Sequence, residues 1–531
     1  MNYSSFTAVF KLLLSPNLLF NMKFLKKIRV VLSLLFFIPI LLFFLDFTGK
    51  LPTQMHQFLS IQWVPALLSL NFGVIGILFL LSLLFGRIYC SSVCPLGVLQ
   101  DIIAWKASFF RKKKKKFRFD YKKPQNILRY SILAITILVF IVGSSVLVLL
   151  FDPYSVFGRI ASQLLRPIII WGNNGLAALL NGSGNYSLYK IEQLAFVPLA
   201  FILAVVFFLI IAQLSVKYGR LYCNTICPVG SSLGLLSKVS LFHISIDEST
   251  CNSCSACEKQ CKSHCIDSAA KKVDDSRCVT CFNCLSACKK NGVKYGFRYK
   301  KQTSESSEGP TDNSRRTFLM ASGAVLTTVA FANVKSVVGK KDSMQRRKPI
   351  MPPGAGSRSH FNTHCTGCQL CVTKCPMQVL KPSVLEYGFS GITQPHLAFS
   401  THVFCTYDCN ICTSVCPTGA LQPLAMEEKK LTQLGIAQFR QDKCVVFAKE
   451  EDCGACSEHC PTQAVHMVPF KKGLTIPEIT EDLCIGCGAC ESICPVRPYP
   501  AIYVEGSTNQ SMAKKPAEAK KFNKKIDDFG F

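Results

Sequence analysis

Most of the 29 cysteines in this 531-residue chain fall into runs of four spaced C-x-x-C-x-x-C-x-x-x-C, or a widened form of that pattern. The spacing suits a cubane iron–sulfur cluster, because one tight loop wraps three thiolates around it and a fourth arrives from elsewhere. Two runs lie mid-chain: Cys251, Cys254, Cys257, Cys261 and Cys278, Cys281, Cys284, Cys288. Four follow: Cys365, Cys368, Cys371, Cys375; Cys405, Cys409, Cys412, Cys416; Cys444, Cys453, Cys456, Cys460; and Cys484, Cys487, Cys490, Cys494. Together they predict six [4Fe–4S] clusters. A disulfide scaffold would show irregular spacings, and a zinc ribbon would show isolated C-x-x-C pairs.

Five cysteines stand outside these runs. Cys265 is a spare thiol that could replace Cys261. Cys90/Cys94 and Cys223/Cys227 belong to an internal repeat in which Gly86-Arg87-Ile88-Tyr89-Cys90-Ser91-Ser92-Val93-Cys94-Pro95-Leu96-Gly97 matches Gly219-Arg220-Leu221-Tyr222-Cys223-Asn224-Thr225-Ile226-Cys227-Pro228-Val229-Gly230. C-x-x-x-C sets two sulfurs about one helical turn apart. Two such pairs could supply four ligands to one further metal centre, act as redox thiols, or be structural.

The elements that must position these groups divide into a membrane half and a soluble half. Four apolar stretches, 28–47, 62–85, 127–151 and 193–216, approach the roughly 20 residues that cross a bilayer. Lys23, Lys26, Lys27 and Arg29 precede the first, and the loop from Arg87 to Arg129 is dense in basic residues, including Arg111 and the run Lys112 to Lys116. Both are therefore expected in the cytoplasm. The loop 152–192 has only Arg159, Arg166 and Lys190 as basic residues, so it is expected outside as a surface excursion with its tip at Asn181 to Asn185. Its apolar patch Pro167 to Trp171 either lies in the membrane interface or packs on the bundle.

Each copy of the repeat follows an even-numbered span, which implies two duplicated helical hairpins with both cysteine pairs at the cytoplasmic face. The expected fold is multidomain: an α-helical transmembrane bundle of four spans (1–245), an α+β two-cluster ferredoxin domain (246–300), a linker with a signal or fifth span (301–340), a four-cluster ferredoxin domain (341–505) and a basic tail from about Ser507. A formal charge of +28 placed largely beside apolar runs marks topology and anionic lipid, not nucleic acid.

Ser314-Arg315-Arg316-Thr317-Phe318-Leu319, with the mildly apolar run Phe318 to Val334, resembles a twin-arginine export signal, and cleavage after Ala332 or retention as an anchor both fit. Four crossings return the chain to the cytoplasm, where such a signal must begin. The route carries folded proteins, so thiolates would be metallated before meeting an oxidising compartment.

The mid-chain runs resemble a two-cluster ferredoxin. That resemblance implies exchange of fourth ligands: Cys251, Cys254, Cys257 with Cys288, and Cys278, Cys281, Cys284 with Cys261. The later runs each end in Cys-Pro (Pro376, Pro417, Pro461, Pro495), as in bacterial ferredoxins. Their widened gaps resemble the four-cluster subunits of molybdenum oxidoreductases, which implies pairing of outer and of inner runs. The sets would be Cys365, Cys368, Cys371 with Cys494; Cys484, Cys487, Cys490 with Cys375; Cys405, Cys409, Cys412 with Cys460; and Cys444, Cys453, Cys456 with Cys416.

Residues 25–300 resemble the NapH type of quinol dehydrogenase subunit, and residues 312–500 resemble its periplasmic partner NapG. The resemblance implies a head-to-tail fusion in the bacterial inner membrane that oxidises a quinol, menaquinol by expectation. Electrons would pass to a periplasmic acceptor such as a c-type cytochrome or a reductase. An accessory redox role in maturing a respiratory metalloenzyme is the competing expectation. No C-x-x-C-H motif and no histidine within the four spans argue against haem, and no G-x-G-x-x-G fingerprint points to a flavin or nicotinamide. Asp152, Tyr154 and His56 are candidate acceptors of quinol protons, with capping or interfacial anchoring as the alternative.

Overall fold

The computed structural model describes residues 22–49, 51, 57–110, 119–192, 197–298, 348–384 and 386–515. His56, the run Arg111 to Lys116, the double-arginine segment with Phe318 to Val334, its cleavage position after Ala332, and the chain beyond Lys515 lie outside the described residues.

Among the described residues, two helices are long and apolar enough to cross a membrane: α1 (Met22–Leu45), over Phe24–Leu45, and α10 (Pro198–Tyr218). The other two expected spans arrive in pieces. In the second, α2 (Trp63–Leu68) stops where Leu70 takes a left-handed φ of 52°, and Asn71 restarts the chain by capping α3 (Phe72–Phe85) through Val74 N–H at 3.2 Å. In the third, Gly143 at φ 90° separates α6 (Asn126–Ile141) from α7 (Val146–Phe151). Uniform apolar composition conceals both breaks, because only the turn residues carry the signal.

The repeat is a repeat of structure. Gly86 (φ 70°) ends α3 and Gly219 (φ 57°) ends α10. The short helices α4 (Ile88–Ser92) and α11 (Leu221–Thr225) follow, carrying Cys90 and Cys223. Cys94 and Cys227 then stand at the N-cap positions of α5 (Pro95–Phe109) and α12 (Pro228–Ser237), with proline opening each helix.

The stretch 152–192, expected as a surface loop, is mostly helix. Asp152 caps α8 (Pro153–Ile160) through Ser155 N–H at 2.8 Å, and a π-helical turn (Ala161–Leu165) leads into α9 (Arg166–Gly182). The cap and the prolines at the first turns of α8 and α9 were the available signals. On α9, Ile168, Ile169, Trp171 and Leu179 are exposed.

Short antiparallel pairs frame the cysteine loops. Mid-chain, β1 (Phe242–Ile246) pairs with β4 (Val293–Phe297), and β2 (Ile266–Asp267) with β3 (Lys272–Val273). The ferredoxin unit therefore begins at Phe242, before the expected boundary at 246. After residue 348, β5 (Leu380–Pro382) pairs with β6 (Pro395–Leu397), β8 (Val465–Pro469) with β9 (Thr475–Ile479), and β7 (Thr432–Phe439) with β10 (Ile502–Met512). The basic tail placed from Ser507 is corrected by this last pair. Ser511 stands opposite Gln433, so the polar segment is an edge strand whose side chains gave no apolar alternation to read.

The two ferredoxin regions sit against opposite ends of α1, on the order of 36 Å apart along its axis. At its start, Lys26 reaches Ser286 of the mid-chain unit at 3.5 Å, and Leu25 joins that unit's core. Beyond its end, Asp46 pairs with Lys374 of the C-terminal domain at 2.6 Å, both side chains being nearly buried. Ser162 and Gln163 meet Gln369 at 2.8 and 2.7 Å, and Arg166 donates to the Thr373 carbonyl at 3.0 Å. One continuous core holds Val279 of the mid-chain unit, the helices, and Leu370 and Val415 of the C-terminal domain.

Candidate iron–sulfur sites

Four of the cysteine loops share one backbone device. In each C-x-x-C-x-x-C run, the residues just before and just after the second cysteine have positive φ: Ser253 and Ser255, Thr280 and Phe282, Gly367 and Gln369, Gly486 and Gly488. Alternating handedness of this kind turns successive N–H groups toward one concavity, which is how a backbone solvates an anionic cluster. The runs starting at Cys405 and Cys444 lack the pair, and their widened gaps take other paths.

The ligand sets close locally. One cavity is lined by Cys251, Cys254, Cys257 and Cys288, as expected for a two-cluster ferredoxin. In its partner set, Cys284 lies within electrostatic reach of Cys278, Cys281 and Cys261. Cys265 sits behind that set, its Sγ 3.4 Å from the Cys261 sulfur. The shared hydrogen bond lowers the Cys261 thiol and raises that of Cys265, which also faces Cys278, so both thiols stand at this set.

In the C-terminal domain the expected outer and inner pairing is overturned. Cys375 lines a cavity with Cys405, Cys409 and Cys412, and Cys494 lines another with Cys444, Cys453 and Cys456. Cys416 lies within reach of Cys365, Cys368 and Cys371, and Cys460 within reach of Cys484, Cys487 and Cys490. Each adjacent pair of runs thus exchanges its fourth cysteine. The reason is local: one-turn helices, Leu370–Lys374 and Ala489–Ile493, carry each fourth cysteine directly to the neighbouring loop. The widened gaps reshape a loop without altering that exchange.

These sets fit cubanes. Among the described residues no three His, Cys, Asp or Glu side chains converge on a single ion. A cubane does not ask for that, since each thiolate holds a different iron. Burial pushes Cys368 and Cys487 up to about 12 and Cys257 up to about 11, so metal-free thiols stay protonated at neutral pH and loading must release protons.

The sets also stand in sequence through the molecule. Cys284 reaches Cys257, Cys371 reaches Cys412, Cys405 N–H donates to the Cys487 carbonyl at 2.9 Å, and Cys490 reaches Cys456. Cys281 packs on the helical core that contains Cys90, Cys94, Cys223 and Cys227, and Cys368 and Cys371 pack on it too. The four repeat cysteines are each 3–4% exposed.

Around them lie residues that sequence reading treated otherwise. Arg87 of the first repeat donates to the Cys223 carbonyl at 2.9 Å, and Arg220 of the second donates to the Cys90 carbonyl at 2.9 Å. Gly97 and Gly230 are required by this crossing, because a Cβ at either would collide with the carbonyl and with the visiting guanidinium. Asp101 on α5 pairs with Arg29 at 3.1 Å and Lys262 at 3.0 Å, and Arg220 Nε reaches it at 3.1 Å. The duplicated Gly-Arg and Pro-x-Gly positions were the visible signal for Arg87, Arg220 and both glycines.

Asp152 and Tyr154 are 1% and 0% exposed, and Tyr154 belongs to the core that holds the four repeat cysteines and on which Cys368 and Cys371 pack. The Asp152 carboxylate accepts from Ser155 N–H and Oγ at 2.8 and 2.7 Å, which is the capping role. The Tyr154 hydroxyl is buried and faces the Cys368 thiol.

Comparison with known proteins follows these divisions. A family model described as a 4Fe-4S binding domain matches residues 67–118 and 200–246, the two repeat regions. Two models of 4Fe-4S dicluster domains match 364–421 and 451–497, one for each locally closed pair. The ferredoxin-type protein NapF of Escherichia coli (strain K12) is 32% identical over 156 residues, 29% of this chain and 85% of its own length. The ferredoxin-type protein NapG of the same strain is 30% identical over 210 residues, 38% of this chain and 88% of its own. The methylamine utilization ferredoxin-type protein MauM of Methylophilus methylotrophus is 31% identical over 215 residues, 36% and 87% respectively. No solved structure matches.

Proposed function

The chain belongs to the ferredoxin-type family of 4Fe–4S electron-transfer proteins, and from that premise we propose that it is a relay across the bacterial inner membrane that oxidises a quinol. In this reading the helical domain crosses four times, the mid-chain unit faces the cytoplasm and the C-terminal domain the periplasm. Six [4Fe–4S] clusters are held by the cysteine sets described above, and when bound they supply one-electron carriers. The acceptor is a periplasmic protein, a c-type cytochrome or a reductase.

The observation that carries the reading is the single line of cysteine sites running from one end of α1 to the other through a shared core. Exposed apolar residues on α1, α6, α9 and α10, among them Val31, Ile141, Trp171 and Leu209, suit lipid as the solvent. Quinol oxidation needs a proton acceptor at the quinol site. Asp152, a buried carboxylate held at a helix N-terminus two residues before Tyr154, is the group assigned that role.

The test is anaerobic addition of a menaquinol analogue to the purified, cluster-loaded chain in lipid. Growth of reduced-cluster EPR signals is expected, with Asp152→Asn slowing it at least tenfold. Reduction by dithionite but none by the quinol would overturn quinol as the donor.

A further inference from the structure

Five thiols stand at the second mid-chain set: Cys278, Cys281, Cys284, Cys261 and Cys265. Cys265 is 2% exposed, its Sγ lies 3.4 Å from that of Cys261, and it reaches the Cys278 thiol as well. A cubane takes four thiolates, so one of the five has another task.

The other runs show which one. In the run ending at Cys375, the fourth sulfur accepts backbone N–H groups from two, four and five residues on: Met377, Val379 and Leu380. Cys261 accepts from Ser263, Cys265 and Ile266, at the same three offsets. The N–H four residues on also donates to Cys288 from Gly292 and to Cys460 from Ala464, each at 3.2 Å. Such a nest of amides marks a fourth cysteine, and here it closes on Cys261. Cys265 occupies the position four residues on, where four of the other five runs place Gly292, Val379, Ala420 and Ala464, all buried, and the fifth has Pro498. None of those side chains can donate a hydrogen bond. A thiol is what this one position adds.

We infer that Cys261 completes the second mid-chain site and that the Cys265 S–H donates to its sulfur, giving this cluster a higher midpoint potential than an apolar residue at the same position would give. A hydrogen bond to a coordinating sulfur stabilises the reduced, more negative core, so adding one favours reduction. The inference rests on the relay reading and gives the site a task within it. Cys284 reaches Cys257 of the outer set, while Cys281 packs on the helical core. The tuned site therefore stands between them, and a raised midpoint makes it the place where an electron in the mid-chain unit rests.

The experiment compares the anaerobically prepared full chain with Cys265→Ala and Cys265→Ser, by iron content and by EPR-monitored redox titration. Alanine already holds this position after Cys416 and Cys460, so the first variant uses a loop the chain itself builds. Iron is expected to stay at the parent level in both. One midpoint should move to a more negative value in Cys265→Ala and return toward the parent value in Cys265→Ser, whose hydroxyl can donate in place of the thiol. Loss of about four irons in Cys265→Ala would make Cys265 a ligand and overturn the inference. Unchanged midpoints at equal iron would overturn it too, as would the same shift in both variants, which would mark packing alone. A parent with fewer than six clusters but with the shift intact would count against the relay reading and leave this inference standing.

Discussion

Replacing Asp101 by asparagine is expected to cost about 3–5 kcal/mol, the penalty for breaking a buried charge pair while leaving its partners in place. Three cations converge on this carboxylate from three parts of the chain: Arg29 from α1, Arg220 from the second repeat and Lys262 from the mid-chain unit. The substitution preserves shape and removes only charge. It should therefore loosen the mid-chain unit from the helices and lower the unfolding temperature in detergent by several degrees. Burial works to raise the Asp101 carboxyl, but Arg220, Lys262 and Arg29 outweigh it and hold the group well below the usual carboxylate range. A depressed folded value means the stabilisation is complete above the unfolded value of about 3.9 and is lost only as pH falls below it. The gap between parent and variant should thus stay constant from about pH 5 to 8. A gap that opened or closed in that window would contradict the assignment.

The second large effect concerns which cysteine completes which site. Cys494→Ser should remove the cluster of the Cys444 loop, about four irons, and leave the Cys365 loop intact. Peptide mapping after alkylation reads this directly: Cys444, Cys453 and Cys456 become reactive while Cys365, Cys368 and Cys371 stay protected. Cys416→Ser should give the converse. Reactive Cys365, Cys368 and Cys371 in the Cys494→Ser chain would restore the outer and inner pairing that the cavities speak against.

The cysteine loops themselves were legible in the sequence because three of every four cysteines sit within a single loop, where spacing and geometry are nearly the same thing. Pairing was not, because it depends on where a one-turn helix delivers the fourth cysteine, and the widened gaps at Cys405 and Cys444 suggested a different subunit type. Arg87 and Arg129 show a subtler failure. They were counted among the basic residues that mark a cytoplasmic loop, yet both are buried against the cysteine core. Charge counted along a chain does not distinguish a solvated arginine from one that is balancing something inside. The breaks at Asn71 and Gly143 were similarly hidden, since hydropathy averages over the residues that make a turn.

The most direct measurement uses sealed proteoliposomes holding ferricyanide, with dithionite added outside. The account predicts that vesicles carrying the metal-loaded chain bleach the enclosed ferricyanide, and that protein-free vesicles do not. Enclosed ferricyanide that stays oxidised while the externally accessible clusters are fully reduced would contradict a continuous path from one ferredoxin region to the other.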